Sequence, residues 1–318
     1  LPSLPERGAA PMSRRFIATL VALLVVSVAC GGSSSSPSAS ASGYRVMATT
    51  SVFADLARLA LGDSVQIDSI IPAGVDVHTF EPSPSDAAKI AAADLILMNG
   101  LGLDEWAVSL VDAAHKSETD ILRLGEGLDV SDAWIYLASP EEETEDAYDP
   151  HVWLDPTGAA HYVQRIVDRV VQDRPELTNT VRTASAKGFA ALQDLDAEVR
   201  ALFSDIPEAN RKIVTFHDAF GYFARAYNIT IVGVAIASPG QDPSAREIAA
   251  LIDAIRASGV TTVFSEVQFP SKVLTSIAAE TGATVLADLY SDALGDAPAN
   301  SYLGAMRANA SAILASFK

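Results

Sequence analysis

The stretch that decides the fold is PELTNTVRTASAKGFAALQDLDAEVRALFS, residues 175–204. Its apolar side chains recur at steps of three and four residues, with Gly188 in register and one step of eight across it. They are Leu177, Val181, Ala184, Leu192, Leu195, Val199 and Leu202. Because no loop of Gly and Pro residues interrupts this pattern, residues 175–204 are predicted to form one long helix that bridges two halves of the molecule.

Strands and helices alternate on both sides of this helix. The predicted strands are YRVMA, VQIDSII, DLILMN and ILRL before the helix, and KIVTF, ITIVGVAI, VTTVFSE and ATVLADL after it. A regular β-α-β-α order is typical of mostly parallel sheets. The predicted fold class is therefore α/β, with two similar lobes at 44–174 and 205–318 joined by the rigid helix at 175–204.

The first residues have the composition of a targeting segment. Arg14 and Arg15 precede an apolar run at 16–29, which is short for a membrane span and has the length of a signal-peptide core. Cys30, the only cysteine of the chain, follows this run, and a Ser/Gly-rich linker occupies 31–43.

This arrangement resembles a bacterial lipoprotein signal, in which residues 1–30 end at a lipidated cysteine. The resemblance implies that Cys30 carries acyl chains that hold the protein outside the cell membrane. Ser27 departs from the pattern, which usually has Leu at that position. The alternative is an ordinary secreted protein in which Cys30 has no role.

The formal net charge of −18 limits the possible partners. Nucleic acids and anionic membrane surfaces require a basic face, so neither is expected to bind the folded part. The 49% of hydrophobic residues supplies enough apolar surface for the cores of both lobes. We expect a monomer.

Three histidines fall where a binding crevice is predicted. In open α/β sheets, ligands bind beyond the carboxyl ends of the strands. His78 follows the second strand, His217 ends the fifth, and Asp288 and Asp292 lie at and just beyond the end of the eighth, while His151 lies in a turn before a helix. Three imidazoles and a carboxylate suit Zn²⁺, Cu²⁺, Fe²⁺, Ni²⁺ or Mn²⁺. The alternative is three unrelated loop histidines.

The other two histidines have simpler explanations. His115 closes a predicted helix, where a cation suits the helix dipole. His161 shares a helix face with Arg165, Asp168 and Gln172, so its side chain is predicted to point to solvent.

Four motifs, in order along the chain, resemble a known family. They are IPAGVDVHTFEPSPSDAAKIAAADLILMNGLGLDEW at 71–106, DPHVWLDP at 149–156, FHDAFGYFARAYNI at 216–229 and LYSDALGD at 289–296. These segments are similar to the signatures of the zinc- and manganese-type solute-binding lipoproteins of ABC transporters. The resemblance covers nearly all of 44–318 and implies a two-lobed fold bridged by one long helix, with the metal between the lobes.

The resemblance also implies the ligands. They are His78, His151, His217 and Asp292. Asp288 and Glu266 then become structural or supporting carboxylates. A ligating histidine needs a partner for its other ring N–H, and Asp76, Glu81 and Asp155 are near enough in sequence to be candidates.

The expected cargo is Zn²⁺ first and Mn²⁺ second. Three nitrogens and one carboxylate suit zinc, and manganese-type members often have a glutamate where this chain has His217. Zinc-specific members often have a His-rich acidic loop before the second motif. Here residues 139–149 contain six acids and no histidine. This loop either concentrates cations or is a solvated run of charge.

These observations predict a receptor rather than an enzyme. It would capture a divalent metal outside the membrane, to which only the lipid anchor attaches it, and deliver the metal to the permease of an ABC importer. One alternative is a metallohydrolase, but four protein ligands leave no open position, and the sequence has no HExxH or GxSxG motif. The other alternative is a surface adhesin of the same family.

Overall fold

The structure, a computed structural model, describes residues 43–128, 148–269 and 272–317, apart from the side chains of Ala287 and Asp288. The predicted signal peptide with Cys30, nearly all of the linker and residues 139–147 of the acidic loop therefore lie outside the described residues. Within the described ranges, no helix combines the length and apolarity needed to cross a bilayer.

The first lobe is a four-stranded parallel sheet with helices between its strands. Its elements are β1 (Arg45–Ala48), α1 (Ser51–Leu61), β2 (Gln66–Ser69), α2 (Pro84–Ala91), β3 (Leu95–Met98), α3 (Trp106–Ala113) and β4 (Ile121–Arg123). The strand order is β2-β1-β3-β4, and every neighbouring pair is parallel. The predicted parallel sheet of this lobe is confirmed.

Two helices lead from the first lobe to the second. The first is α4 (Pro156–Asp173), in which the side chain of Asp155 accepts a hydrogen bond from the backbone N–H of Thr157 at 2.8 Å and a proline occupies the first turn. The second is α5 (Thr178–Phe203), which packs on α1 and α4 on one side and on the last helix of the chain on the other.

The buried face of α5 is shifted slightly from the predicted stripe. Ser185 and Phe203 are buried, whereas Ala184 and Leu202 are half-buried. Gly188 is buried against α1, where an added Cβ would lie 2.4 Å from the carbonyl oxygen of Leu59. The glycine therefore permits the close approach of the two helices.

The second lobe repeats the alternation of strands and helices. Its elements are β5 (Lys212–His217), α6 (Gly221–Ala226), β6 (Thr230–Ile236), α7 (Ala245–Ser258), β7 (Thr262–Glu266), α8 (Lys272–Thr281), β8 (Thr284–Leu289) and α9 (Tyr302–Ser316). Strands β5 and β6 form one parallel ladder and β7 and β8 another, with β5 beside β7. A capping box of Ser244 and Glu247 begins α7, and Gly259 ends it with a φ of 71°.

The segment after β8 is tied to the first lobe. The indole N–H of Trp153 donates to the carbonyl oxygen of Ser291 at 2.9 Å, and the backbone N–H of Leu294 donates to Oγ of Ser51 at 3.1 Å. These bonds hold Asp292, which lies between Ser291 and Leu294, against the first lobe. The carboxyl ends of strands from both lobes consequently meet around one buried space.

Candidate metal centre

Four side chains that are far apart in sequence meet between the lobes. One donor atom from each can be chosen so that all four lie within 4.8 Å of one another. His78 comes from the loop after β2, His151 from the turn before α4, His217 from the last residue of β5, and Asp292 from the segment after β8. The structure thus brings together the four residues that the sequence selected, and the side chain of Asp288 is not described.

The loop of His78 is folded by the carboxylate before it. Asp76 accepts hydrogen bonds from the backbone N–H groups of His78, at 3.1 Å, and of Thr79, at 3.0 Å. Such a local turn around an aspartate fixes the backbone without any regular structure. The side chain of His78 is 13% exposed, whereas those of the other three are at most 2% exposed. The cluster therefore reaches solvent through His78.

The turn of His151 is held from both lobes. Oδ1 of Asp149 lies 2.7 Å from Nδ1 of His151 and also accepts from the backbone N–H of His151 at 2.9 Å. The hydroxyl of Tyr222, on α6, donates to the carbonyl oxygen of Asp149, and the side-chain amide of Asn99, after β3, donates to that of Pro150. The ring of His151 is thereby oriented with Nε2 toward the cluster.

His217 has a buried carboxylate of its own. Nδ1 of His217 lies 2.7 Å from Oε2 of Glu266, the last residue of β7. The hydroxyl of Ser291 donates to the same oxygen at 2.5 Å. Because Nδ1 of His217 is held at Glu266, its Nε2 faces the other histidines. Metal-bound histidines have the same arrangement: one ring nitrogen binds the metal and the other has a hydrogen-bond partner.

The distances between the donor atoms match those around a small metal ion. Nε2 of His217 and Nε2 of His151 are 3.3 Å apart, and Nε2 of His151 is 3.2 Å from Oδ1 of Asp292. Two ligands of a tetrahedral zinc ion, at the usual bond lengths, lie roughly 3.3 Å from each other. Nε2 of His78 lies 3.7 Å from Oδ2 of Asp292 and has no hydrogen-bond partner among the described residues.

The charges in the cluster differ from one histidine to the next. Burial lowers the pKa of His78 to about 4, although Asp292 opposes this effect. Burial also disfavours the charged form of His151, but Asp292 and Asp149 raise its pKa to about 10. Burial opposes the charge on His217 too, yet Glu266 and Asp292 raise its pKa.

The carboxylate of Asp292 stays ionised. Burial would raise the pKa of Asp292, but His217 and His151 hold it well below its ordinary range. The cluster therefore contains a buried anion facing imidazole nitrogens, of which that of His151 has a pKa raised to about 10. This arrangement can bind a divalent cation by releasing protons.

The prediction of which carboxylates support the histidines was only partly right. Glu266 contacts a candidate ligand, as predicted. Asp76 bonds the backbone of His78, Glu81 is exposed, and Asp155 caps α4. The partner of His151 is instead Asp149, which the sequence grouped with the acidic loop. Its position two residues before His151 was the available signal, since an aspartate readily bonds the backbone two residues on.

The two remaining histidines lie outside the cluster. His115 is exposed at the end of α3, as predicted. The prediction for His161 was wrong: it is half-buried, and its Nε2 is buried without a hydrogen-bond partner among the described residues. The turn after β4 covers this face of α4, because Arg165 donates to the carbonyl oxygen of Glu126 there. Helical periodicity alone could not reveal that cover.

Comparison with known proteins agrees with this geometry. Residues 46–316 match the family described as ZnuA, zinc-uptake complex component A, periplasmic. The manganese ABC transporter substrate-binding lipoprotein scaA of Streptococcus gordonii is 30% identical over 302 residues, which cover 93% of this chain and 96% of that protein. The iron ABC transporter substrate-binding lipoprotein MtsA of Streptococcus pyogenes serotype M1 is 28% identical over 307 residues, covering 94% and 97%.

A solved structure supports the fold. The periplasmic zinc binding protein TroA from Treponema pallidum has a TM-score of 0.75 and 27% identity, covering 86% of this chain and 99% of that one. This similarity confirms the two-lobed α/β fold. The chain therefore belongs to the ZnuA family of metal-binding components of ABC transporters, and it is a substrate-binding protein rather than an enzyme.

Proposed function

We propose that the protein is an extracytoplasmic receptor that captures Zn²⁺ and delivers it to the permease of an ABC importer. The ligands are His78, His151, His217 and Asp292. The observation that carries this proposal is the meeting of three imidazoles and one carboxylate, from four separate segments of both lobes, within 4.8 Å. Metal is the cargo of this site, and Mn²⁺ is the second candidate.

The donor set favours zinc. Three nitrogens and one carboxylate suit Zn²⁺, whereas Mn²⁺ prefers six donors that are mostly oxygen. TroA, named as a zinc binding protein, supports this choice. The names of scaA, for manganese, and MtsA, for iron, support the alternatives. Affinity alone would favour Cu²⁺, so the metal supply outside the cell also selects the cargo.

Capture begins at His78. It is the one candidate ligand with an exposed edge, and its lowered pKa leaves it neutral at physiological pH, ready to bind. The ion then meets the buried trio, where Asp292 supplies the negative charge. His151, whose pKa is raised to about 10, releases a proton as the metal binds. The supports at Asp149 and Glu266 hold the rings of His151 and His217 in place.

The lipid on Cys30 and the linker at 31–43 keep the loaded receptor beside its permease. Tethering raises the local concentration and so favours delivery without a tight complex. A monomer suffices, since one chain supplies all four ligands. An adhesin would need an apolar patch, and among the described residues the large apolar side chains that are exposed are only Val75 and Val267.

Metal analysis tests this function. The purified full chain is stripped with a chelator, incubated with equal Zn²⁺ and Mn²⁺, and analysed beside His217→Ala and the exposed control His115→Ala. One equivalent of zinc in the wild type and in His115→Ala, lost in His217→Ala, is expected. One equivalent of manganese would keep the receptor and overturn the choice of zinc. No bound metal in the wild type would refute the proposed function.

A further inference from the structure

The side chain of Gln268 lies beside the carboxylate of the metal site, two residues after the end of β7. Its Nε2 is 2.8 Å from Oγ of Ser291 and 3.3 Å from Oδ2 of Asp292. Gln268 is half-buried, and no sequence pattern marks it. Together with Ser291, whose Oγ lies 3.2 Å from Oδ2 of Asp292, it joins Asp292 to the support of His217.

Hydrogen-bond requirements fix the orientation of the Gln268 amide. Ser291 has one hydroxyl proton, which goes to the carboxylate of Glu266 at 2.5 Å, so Oγ of Ser291 accepts from Gln268. The second hydrogen of Nε2 then points to Oδ2 of Asp292. The reverse orientation would place a carbonyl oxygen against a carboxylate, where neither group can donate.

The two oxygens of Asp292 therefore have different surroundings. Oδ2 lies against the amide of Gln268, whereas Oδ1 is buried, has no hydrogen-bond partner among the described residues and lies 3.2 Å from Nε2 of His151. Both oxygens face the cluster, because Oδ2 is 3.5 Å from Nε2 of His217. A metal ion must compete with the amide N–H of Gln268 for Oδ2, whereas the group beside Oδ1 is Nε2 of His151, which is itself a candidate ligand.

We propose that Gln268 is a specificity-determining residue that directs Asp292 to bind the metal through Oδ1 alone. The inference rests on the proposed function of the site. One-oxygen binding keeps the ion at four ligands, which zinc accepts readily. Binding through both oxygens adds a fifth ligand and moves the site toward the higher oxygen coordination that manganese prefers. The hydrogen bond of Gln268 thus favours zinc over manganese.

The test compares the ratio of the Zn²⁺ and Mn²⁺ affinities in three full-length proteins: wild type, Gln268→Met and Gln193→Met. Methionine keeps the length of the side chain and removes the N–H donor, and Gln193 is exposed on α5. Competition with a chelating dye gives each dissociation constant. The zinc-to-manganese affinity ratio is expected to fall about tenfold or more in Gln268→Met and to stay unchanged in Gln193→Met.

A merely structural role for Gln268 predicts a different result. It would change both affinities by the same factor and leave the ratio intact, and that outcome overturns the proposal. If Gln268→Met does not fold, Gln268→Leu replaces it, since leucine also removes the N–H donor and adds no oxygen. The same fall in the zinc-to-manganese affinity ratio is expected for Gln268→Leu.

Loading with Co²⁺ gives a second measurement, because a four-coordinate Co²⁺ ion absorbs visible light far more strongly than a five- or six-coordinate one. Strong absorption in the wild type and weaker absorption in Gln268→Met are expected, and equal spectra contradict the proposal. Failure of the proposed function looks different, since the wild type would then bind none of the three metals.

Discussion

Oδ1 of Asp149 lies 2.7 Å from Nδ1 of His151 and accepts the backbone N–H of the same residue at 2.9 Å. One carboxylate oxygen thus fixes both the turn and the ring of a candidate ligand. Partners of this kind set the tautomer of a ligating histidine and increase its basicity. The ring of His151 is therefore presented to the cluster before any metal arrives.

Replacing Asp149 with alanine should weaken metal binding without removing a ligand. Loss of such a partner typically lowers metal affinity about 10- to 100-fold, and this range is expected for the Zn²⁺ dissociation constant of Asp149→Ala. Glu81→Ala is the control, because Glu81 is exposed although its position in the sequence made it an equal candidate. Equal affinities of the two variants would show that Asp149 does not support the site.

Metal affinity should rise with pH across a wide range. Burial opposes the charge on His151, but the carboxylates of Asp292 and Asp149 raise its pKa to about 10, so the metal-free protein holds this proton at neutral pH. Binding must displace it, and each proton displaced changes the affinity by about tenfold per pH unit below that pKa. Burial lowers the pKa of His78 to about 4, so acid below that value should weaken binding further.

Titration calorimetry in buffers of different ionisation enthalpy counts the released protons. At least one proton per Zn²⁺ is expected at pH 8, because the pKa of His151 is raised to about 10. In Asp149→Ala, the count at pH 8 should fall, because one of the two carboxylates that raise the pKa of His151 is gone while Asp292 remains. An affinity that stays flat from pH 6 to pH 9 would contradict a site built on these histidines.

Zinc should stabilise the fold, since the ligands come from both lobes. A ligand that binds only the native state adds about 2.7 kcal/mol to the free energy of unfolding at a concentration 100 times its dissociation constant. For a chain of this size, the melting temperature should then rise by roughly 5 to 10 °C. Differential scanning calorimetry with and without Zn²⁺ measures the shift.

The variant His217→Ala separates this effect from nonspecific binding. It keeps three candidate ligands but loses the one on β5, so the shift at the same zinc concentration should largely disappear. Mg²⁺ at that concentration should leave the wild type unchanged, because imidazole is a poor ligand for it. A shift of equal size in the wild type and His217→Ala would place the bound metal elsewhere.

The sequence was sufficient for the architecture because its signals are local. The pair Asp155 and Pro156 marks a helix start by its own chemistry, and the alternation of apolar strands with amphipathic helices marks a parallel sheet. The position of ligand sites beyond the carboxyl ends of strands marked His78 and His217 as candidates. These residues lie at or beyond the ends of strands of different sheets, and the full ligand set came from the resemblance of the four motifs to a known family.

The supporting contacts were harder to predict because they depend on three-dimensional orientation. Asp149, Asp155 and Asp76 all lie close to a candidate ligand in the sequence, yet each bonds a different kind of group. Gln268 meets Asp292 only because β7 and β8 pair side by side, with a shift of register just before Glu266. Closeness in sequence identifies the candidates for these supporting contacts, and the geometry of each turn determines which candidate forms the contact.

Gly188 is another residue whose role depends on three-dimensional packing. The sequence pattern placed it within the apolar stripe of α5. Helix propensity alone predicts that Gly188→Ala stabilises the protein by up to about 1 kcal/mol. The structure predicts the opposite, because a Cβ would lie 2.4 Å from the carbonyl oxygen of Leu59 and 3.0 Å from its carbon. Both are backbone atoms of α1, so the two helices must move apart.

Overpacking of this kind costs about 1 to 3 kcal/mol, so the free energy of unfolding should fall in Gly188→Ala, as measured by urea denaturation. Ala190→Gly is the control that measures helix propensity alone, since Ala190 is exposed two residues further along α5. Its free energy of unfolding should fall by about 1 kcal/mol from backbone entropy. A Gly188→Ala protein more stable than the wild type would mean that α1 and α5 separate freely. Since α5 packs on both lobes, such freedom would also remove the reason to expect a rigid bridge between them.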